Sequence, residues 1–451
     1  MNGERPERPK PTLTPVPPNF AKPKKRQPGT FLGESRQWLP IPGIGYRLDI
    51  QDLALSFDAR KLRSKSDQVI GLLTVRVQMA GAKTISGNVV ACSDFNFSSD
   101  RSRAEKAKQL ETRCGGPEID WRGLVEEVCV RVIEAQDRGE PELQLADVKL
   151  PEKEYETDLM AADFPLLRRQ PTIWFGDGGC GKSMFAMWVA IALAESGTRV
   201  LYLDWELDAT EHVQRLVRFI GPTALPSVRH TLFYRRCQRP IVDDTLSIKE
   251  IIARRNIQFL ICDSLSFGAR APIEASESAL TYQQAVREFG NIGSLHIAHV
   301  NRSEQGDQRP FGSTYWHNMA RSTWYLKRGE EGGSEVTVGF FHRKANLSAQ
   351  REPFAKKLIF NHDRTFVTPG DLGTDAAMVK QLQVPQRIEL ALQNRPMAIS
   401  ELFEECGGDK GDKNKISQAV HRGVKKGRLV KFTGRDGIDR IKLSSSDDMS
   451  S

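Results

Sequence analysis

The chain has 451 residues, seven cysteines and a net charge of +8, and its length exceeds that of one typical core, so we expect two to four domains. The composition excludes a membrane protein, because no apolar run approaches the roughly 18 residues of a membrane span and no N-terminal segment resembles a secretion signal. The odd number of scattered cysteines, without a C-x-x-C pair, excludes a disulfide framework or a zinc site and favours a reduced, cytoplasmic protein.

Positive charge is concentrated at the two ends of the chain. Residues 1–28 hold seven basic and two acidic residues, and residues 409–442 hold eleven basic and four acidic residues. This distribution favours a polyanionic partner, although basic tails are also often simply solvated. The proline-rich residues 1–37 are predicted to be a disordered basic arm, and residues 446–451 a disordered tail.

Residues 38–150 are predicted to form a small α+β accessory domain of unknown task. Three segments are enriched in β-branched residues with partial alternation, and two further segments have helical spacing. The acidic, proline-containing stretch Glu140–Glu156 is the predicted linker to the next domain. The predicted strands are Tyr46–Ile50, Val69–Met79 and Ile85–Phe97, and the predicted helices are Ser99–Arg113 and Asp120–Gln136.

Residues 151–370 alternate strand and helix patterns, which is typical of the α/β fold class with a mainly parallel sheet flanked by helices. After residue 322 the pattern becomes hairpin-like and predicts an antiparallel extension of that sheet. The predicted strands are Pro171–Phe175, Arg199–Leu203, Thr231–Tyr234, Ile257–Cys262, Leu295–Val300, Thr323–Lys327, Glu335–His342 and Lys357–Phe360, and the predicted helices are Met184–Ser196, Glu211–Ile220, Ile248–Arg255 and Ala279–Phe289.

The strongest motif lies between the first strand and the first helix of this domain. It reads Gly-Asp-Gly-Gly-Cys-Gly-Lys-Ser, which matches the phosphate-binding pattern G-x-x-x-x-G-K-[ST]. Glycines let backbone N–H groups surround the β-phosphate, and the helix N-terminus adds its positive end. Lys182 is expected to reach the β- and γ-phosphates, and Ser183 to hold Mg²⁺. The sequence therefore predicts a site for ATP and Mg²⁺. The predicted nucleotide-binding residues are Gly176, Asp177, Gly178, Gly179, Cys180, Gly181, Lys182, Ser183 and Met184.

Two acidic residues that follow buried strands are candidates for the hydrolytic chemistry. Asp263 ends the strand Ile257–Cys262, where a carboxylate beside the glycine loop can hold Mg²⁺ through water. Glu206, just beyond Arg199–Leu203, is the candidate that orients or deprotonates the attacking water. Asp204 competes for that role, and a helix-capping function is the alternative for Glu206.

Together these motifs resemble the RecA-like ATPases (AAA family ATPases), and within them the RepA-type plasmid helicases and the DnaB-type replicative helicases. Leu203–Leu207 resembles the strand end that delivers a catalytic glutamate, and Ala298–Ser303 resembles the family's polar sensor block. The resemblance implies that His299, where DnaB-type proteins usually have Gln, donates a hydrogen bond to the γ-phosphate or the bound water. An ordinary buried histidine is the alternative. The resemblance also implies that Arg302–Phe311 is a mobile pore loop that touches single-stranded DNA.

The resemblance also implies that each subunit donates a basic residue, across a subunit interface, to the γ-phosphate bound by its neighbour. Phe341–Asn346 lies at that place in chain order, after a predicted strand. The usual Lys-x-Arg pattern is incomplete here, because Asn346 stands where the arginine is usual. Lys344 or Arg343 is therefore the candidate finger, and a solvated charge cluster is the alternative. The resemblance implies a homo-hexameric ring or a filament.

Residues 371–445 are predicted to form a winged helix-turn-helix that binds duplex DNA, because three helices and a two-stranded wing follow in that order. A protein-interaction module is the alternative, but the positive charge of this region favours DNA. The predicted helices are Met378–Asn394, Ile399–Cys406 and Lys415–Lys426, and the predicted wing strands are Arg428–Phe432 and Ile438–Leu443. The third helix carries residues suited to phosphates and base edges, namely Ser417, Gln418, His421, Arg422 and Lys425.

The function predicted from these features is a DNA-associated ATPase that couples ATP hydrolysis to DNA binding or translocation, as in a RepA-like helicase of replication or recombination. The alternative is an ATP-switched DNA-binding regulator or replication initiator that unwinds nothing. A third possibility is a signalling ATPase that acts on proteins, which predicts no stimulation by DNA.

Overall fold

The computed structural model describes residues 36–41, 44–114, 119–138, 144–148, 158–300, 309–330, 332–347, 349–406 and 412–444. Four predicted features lie wholly or largely outside these residues: the arm 1–37, the tail 446–451, the linker Glu140–Glu156 and the loop Arg302–Phe311. The chain divides near Asp137 into two compact units, and residues 41–44 are grouped with the second.

The first unit is a five-stranded sheet followed by two helices. The elements are β1 (Arg36–Ile41), β2 (Gly45–Ile50), β3 (Leu55–Lys65), β4 (Gln68–Val77), β5 (Val89–Asn96), α1 (Asp100–Cys114) and α2 (Trp121–Arg138). The strands lie in chain order across the sheet, and β2 to β5 pair antiparallel. Apolar residues of the sheet and both helices form one core. The predicted strand Ile85–Phe97 begins only at Val89, because Gly87 and Asn88 turn the chain with φ values of 56° and 61°.

Strands β1 and β3 are absent from the predicted elements. In β3, Leu55, Phe57 and Ala59 are buried in the core, and the residues between them point to the opposite face. Asp58 on that face is fully buried, and its carboxylate is compensated by salt bridges to Arg47, Arg60 and Arg76. Within β3 itself, Asp58 and Arg60 lower the apolar character of the segment and hide its alternation.

The second unit is built on a nine-stranded sheet that follows a short hairpin, β6 (Asp158–Ala161) and β7 (Phe164–Leu167). The sheet strands are β8 (Pro171–Gly176), β9 (Val200–Asp204), β10 (Leu232–Arg236), β11 (Phe259–Asp263), β12 (Gly293–His299), β13 (Ser322–Arg328), β14 (Glu335–Ala345), β15 (Phe354–Phe360) and β16 (Thr365–Gly370). Their order is β10-β9-β11-β12-β8-β13-β14-β15-β16. Pairing is parallel as far as β13 and antiparallel from β14 onward. The predicted parallel sheet with an antiparallel extension is confirmed, whereas the hairpin and β16 were not predicted.

Helices cover both faces of this sheet. They are α3 (Lys182–Glu195), α4 (Ala209–Ile220), α5 (Leu225–Val228), α6 (Ile241–Arg255), α7 (Leu265–Gly268), α8 (Ser276–Arg287) and α9 (Thr314–Met319). One core joins α3 and α4 to Trp174 and Trp324, and the other joins α6 and α8 to Phe175 and Tyr325. Successive strand residues point to opposite faces, so each strand contributes to both cores. None of the helices in the described part of the chain is long and apolar enough to cross a membrane.

The C-terminal segment contains α10 (Ala376–Val379), α11 (Val384–Leu392), β17 (Met397–Ala398), α12 (Ile399–Cys406), α13 (Asp412–Lys425), β18 (Leu429–Thr433) and β19 (Asp439–Leu443). Its three strands form a small sheet in the order β17-β19-β18, which packs with α11, α12 and α13 around a separate core. The prediction of a single helix over Met378–Asn394 is wrong. Pro385 lies in the first turn of α11, where its missing N–H and its ring prevent a continuous helix from α10.

Candidate active site

The glycine loop lies between β8 and α3, at the carboxyl end of a central strand. Gly179 and Gly181 have φ values of 70° and 89°, in the left-handed region that favours glycine. A Cβ at Gly176 would lie 2.3 Å from the carbonyl oxygen of Leu326 on the neighbouring strand. Helix α3 begins at Lys182 directly after the loop, so the free N–H groups of its first turn face the loop. This is the strand, loop and helix arrangement that anion binding requires.

The Lys182 side chain lies inside this loop and is only 6% exposed. Its Nζ donates hydrogen bonds to the carbonyl oxygens of Gly176 at 2.8 Å and Asp177 at 2.7 Å. The Cys180 thiol lies 3.7 Å from the same nitrogen, and burial raises the pKa of that thiol. Cys180 is therefore a protonated packing residue rather than a nucleophile, and Lys182 is the group whose charge the loop presents.

Asp263 ends β11 beside the glycine loop, and its carboxylate is deeply buried. The Tyr202 hydroxyl donates to Asp263 Oδ2 at 2.8 Å. Burial raises the pKa of the Asp263 carboxyl, the nearby Asp204 and Glu206 act in the same direction, and hydrogen bonds from Ser183 and Tyr202 oppose them. A buried carboxylate next to further acids is stabilised in its charged form by a nearby cation.

The donor set formed by Ser183 and Asp263 fits Mg²⁺, which prefers oxygen ligands and is usually bound by one or two protein groups together with substrate phosphates. No cluster of three or more His, Cys, Asp or Glu side chains suited to a metal occurs among the residues that the structure describes. Two protein oxygen groups leave the other Mg²⁺ coordination positions to water and substrate phosphates.

Glu206 and Asp204 differ clearly in their surroundings. Glu206 is exposed toward the cleft, and its Oε1 accepts a hydrogen bond from Ser264 Oγ at 2.7 Å. Asp204 is 1% exposed, does not line the cleft, and has both carboxylate oxygens engaged in hydrogen bonds within the protein. The geometry thus favours Glu206 over Asp204 as the group that meets water.

His299 lies at the end of β12 and faces the same cleft. Burial and the Lys182 ammonium lower the pKa of His299, while Glu206 and Asp177 oppose them. The imidazole is therefore neutral at pH 7 and has one N–H to donate. Of the sensor block Ala298–Ser303, the structure describes Ala298, His299 and Val300, whereas Asn301, Arg302 and Ser303 lie outside the described residues.

These residues line one open cleft of about 470 Å³. Residues 179–184 of the loop and helix contribute, and Glu206, Asp263 and His299 lie opposite. Several further lining residues were not predicted. They are two arginines, an apolar end and three others, namely Arg215, Arg328, Val336, Leu358, Phe360, Ser264, Ile297 and Gly333.

The two arginines add positive charge to the cleft. Arg328 Nη1 donates to the Gly179 carbonyl oxygen at 3.3 Å. Arg215 is on α4, and its buried Nη1 has no hydrogen-bond partner in the described part of the protein. Arg215 lies on the same inward side of α4 as His212 and Phe219. An arginine at an inward position of a predicted helix is a sequence signal that could have identified this residue as part of the site. The apolar end comes from β14 and β15 and suits a flat, uncharged group.

Lys344 and Arg343 do not line this cleft. Lys344 Nζ donates to the carbonyl oxygens of His317 at 2.9 Å and Asn318 at 2.6 Å, in the last turn of α9. Burial lowers the pKa of Lys344. Arg343 donates to Gln381 Oε1 at 2.8 Å. Both side chains have partners within their own chain, and a finger role toward a neighbouring subunit stays a prediction.

Part of the chain is similar to known proteins. Residues 146–301 match the model of the family described as AAA domain. Two similar solved structures are a KaiC-like protein of the archaeon Pyrococcus horikoshii OT3 and the ATPase domain of G40P. The first has 15% identity and a TM-score of 0.36, covering 45% of this chain and 91% of that chain. The second has the same identity and TM-score, covering 45% of this chain and 86% of that chain.

No curated protein matches the chain. The AAA domain match contains the glycine loop, Glu206 and Asp263. The strands that end at these groups belong to one mostly parallel sheet with helices on both faces, in which β9 and β11 are adjacent and β12 lies between β11 and β8. Residues 146–301 are therefore similar to the AAA domain family, and the sheet to which they contribute carries a P-loop between β8 and α3.

Proposed function

We propose that this protein is a DNA-associated ATPase that couples ATP hydrolysis to DNA binding or translocation, as RepA-type helicases do. The observation that carries the proposal is the convergence of Lys182, Asp263 and Glu206 in one cleft. The C-terminal segment adds an exposed basic helix suited to a polyanion.

The chemistry assigned to the cleft divides among its residues. Lys182 and the loop N–H groups bind the phosphates and withdraw charge from the transferred one. Mg²⁺, held by Ser183 and Asp263, neutralises phosphate charge when bound. Glu206 orients the attacking water and accepts its proton, with one carboxylate oxygen fixed by Ser264. Neutral His299 donates its N–H toward the γ-phosphate or the water.

The proposed DNA surface is helix α13 within a winged helix. The basic side chains of α13 that the structure describes are exposed, and Gln418 and Arg422 hydrogen-bond on the same face. In the β18–β19 hairpin, by contrast, Lys431 pairs with Asp439 at 2.7 Å and Arg440 pairs with Asp436. Because these two hairpin cations are neutralised locally, α13 is the stronger candidate for phosphate contacts.

The double variant Arg422→Ala with Lys425→Ala is expected to weaken duplex DNA binding and flatten its salt dependence. The slope of log affinity against log salt should become shallower by about 0.9 for each phosphate that the protein no longer neutralises. Fluorescence anisotropy on one duplex at several salt concentrations measures this slope.

The matched control removes two exposed lysines from the first unit, Lys83 and Lys108. The variant Lys83→Ala with Lys108→Ala loses the same net charge, so its slope should stay at the wild-type value. Equal slopes for both double variants would show that α13 is not a specific DNA surface, and its charge would then require an acidic protein partner.

We further propose that the protein assembles into a ring or filament in which Lys344 reaches a neighbour's nucleotide. Lys344→Ala and Lys182→Ala each remove one half of such a shared site. Mixing the two inactive variants should restore part of the ATPase activity, because some interfaces then combine an intact loop with an intact Lys344. ATPase assays on mixtures, with mixed oligomers verified by differently tagged subunits, measure this recovery.

Recovery has to be separated from a local folding defect, because Lys344 caps the end of α9. Thermal melting of Lys344→Ala alone provides that control. If verified mixed oligomers of two well-folded variants show no recovery, the finger role is excluded.

The alternative function is an ATP-switched DNA-binding regulator, which the basic α13 and the ATPase cleft equally support. Strand displacement on a forked substrate distinguishes the two. ATP-dependent displacement supports a helicase, whereas DNA-stimulated ATPase activity without displacement supports the regulator. ATPase activity that DNA does not stimulate contradicts both.

A further inference from the structure

His212 is a buried histidine that the chemistry of the cleft does not use. It lies on α4, is 4% exposed and is absent from the cleft lining. Its ring packs between those of Tyr202 and Tyr234, with centroid distances of 4.7 and 5.0 Å. Its Nε2 lies 2.5 Å from Oδ2 of Asp204, and its Nδ1 has no hydrogen-bond partner within the described residues. The contact with Asp204 is therefore the polar interaction that the ring makes.

Asp204 connects this histidine to the chain around Glu206. Its second oxygen, Oδ1, accepts hydrogen bonds from the backbone N–H groups of Glu206 at 2.5 Å and Leu207 at 2.9 Å. The Tyr234 hydroxyl donates to the Leu207 carbonyl oxygen at 2.8 Å. The turn that carries Glu206 is thus held through its backbone, by side chains that do not face the cleft.

We propose that the His212–Asp204 pair positions Glu206 for hydrolysis, an inference that rests on the proposed role of Glu206. His212 fixes the orientation of the Asp204 carboxylate, and the carboxylate fixes the backbone from which Glu206 enters the cleft. Removing His212 leaves a buried carboxylate with one oxygen unpaired, which favours its reorientation and releases the turn. Displacement of a catalytic group by about 1 Å can cost on the order of 10²-fold in rate.

The first test compares substitutions of His212 that differ in side-chain length and in the ability to donate a hydrogen bond to Asp204. His212→Ala should lower kcat by roughly 10- to 100-fold, with KM for ATP and the affinity for a fluorescent ATP analogue unchanged. His212→Gln places an amide N–H near the position of Nε2 and should retain most of the activity. His212→Asn carries the same amide as His212→Gln but is one methylene shorter. Its kcat should therefore fall by about the same factor as that of His212→Ala. If Gln and Asn lower kcat equally, or if nucleotide affinity falls in parallel with kcat, the positioning role is overturned.

The second test places His212→Asn in a Glu206→Gln background and measures single-turnover hydrolysis. If His212 acts only through Glu206, the double variant should be as slow as Glu206→Gln alone, because effects within one functional unit are not additive. A further loss of the full size seen in the single variant would overturn the inference. Wild-type turnover in Glu206→Gln itself would instead refute the proposed role of Glu206, so the two failures are distinguishable.

Discussion

Lys182→Ala is expected to abolish ATP binding at the concentrations that saturate the wild-type protein. The side chain supplies the ammonium at the centre of the glycine loop, where it is 6% exposed. Removing one partner of a buried, charge-assisted contact costs about 2–5 kcal/mol, which corresponds to a loss of affinity of roughly 30- to 5,000-fold. Isothermal titration calorimetry with a non-hydrolysable ATP analogue measures this loss.

A nearby lysine provides the matched control for that experiment. Lys327 Nζ lies 3.8 Å from Asp177 Oδ2, beside the loop but outside the cleft lining. Lys327→Ala removes the same charge from almost the same place and should leave ATP affinity within a few-fold of wild type, because a surface ion pair contributes little. Lys182→Met, which keeps the apolar stem, should behave like Lys182→Ala. Tight ATP binding by Lys182→Met would contradict the assignment of the loop.

Glu206→Gln is expected to retain ATP binding and lose turnover by roughly 10²-fold or more. The substitution is isosteric, and the glutamine Oε1 can still accept the hydrogen bond from Ser264, so the shape of the cleft is preserved. What disappears is the negative charge that orients water and accepts its proton. Steady-state ATPase assays together with analogue binding separate these two effects.

An exposed acid of the same domain serves as the comparison for Glu206. Glu195 ends α3 and is exposed away from the cleft lining, so Glu195→Gln should leave both binding and turnover unchanged. A collapse of nucleotide affinity in Glu206→Gln, with normal turnover per bound ATP, would show that the residue binds phosphate rather than activating water. Because both oxygens of Asp204 are engaged elsewhere, that outcome would leave the water without an assigned base.

The sequence was sufficient for the parts of the site that follow local rules. A glycine loop between a strand and a helix, and an acid at the end of a buried strand, have fixed places in an α/β sheet. Asp263 and Asp204 were both predicted at the carboxyl ends of parallel strands, and the structure pairs those two residues in register. The roles of Glu206 and Asp204 could not be separated in this way, because both lie at the same strand end. The structure distinguishes them, because Glu206 lines the cleft whereas Asp204 is buried with both carboxylate oxygens engaged.

Features that depend on the pairing of strands distant in the chain could not be predicted from local sequence patterns. Leu358 and Phe360 line the cleft because β15 pairs with β14, which pairs with β13 beside β8, and no local signal encodes that succession. Strand β3 was missed because its charged outer face obscures the alternation. The single helix predicted over Met378–Asn394 failed for a local reason, since the effect of Pro385 on the preceding turn outweighs the apolar spacing.

The position of β13 beside β8 limits how short a fragment of this chain can be and still fold. A fragment limited to the matched residues 146–301 would lack β13 to β16 and turn β8, the strand that feeds the glycine loop, into a sheet edge with unpaired backbone groups. It would also uncover the apolar surface that Trp324, Leu326 and Phe340 bury. Exposed apolar edge strands invite aggregation. A fragment that folds alone is therefore expected to extend at least to Gly370, well beyond the matched residues 146–301.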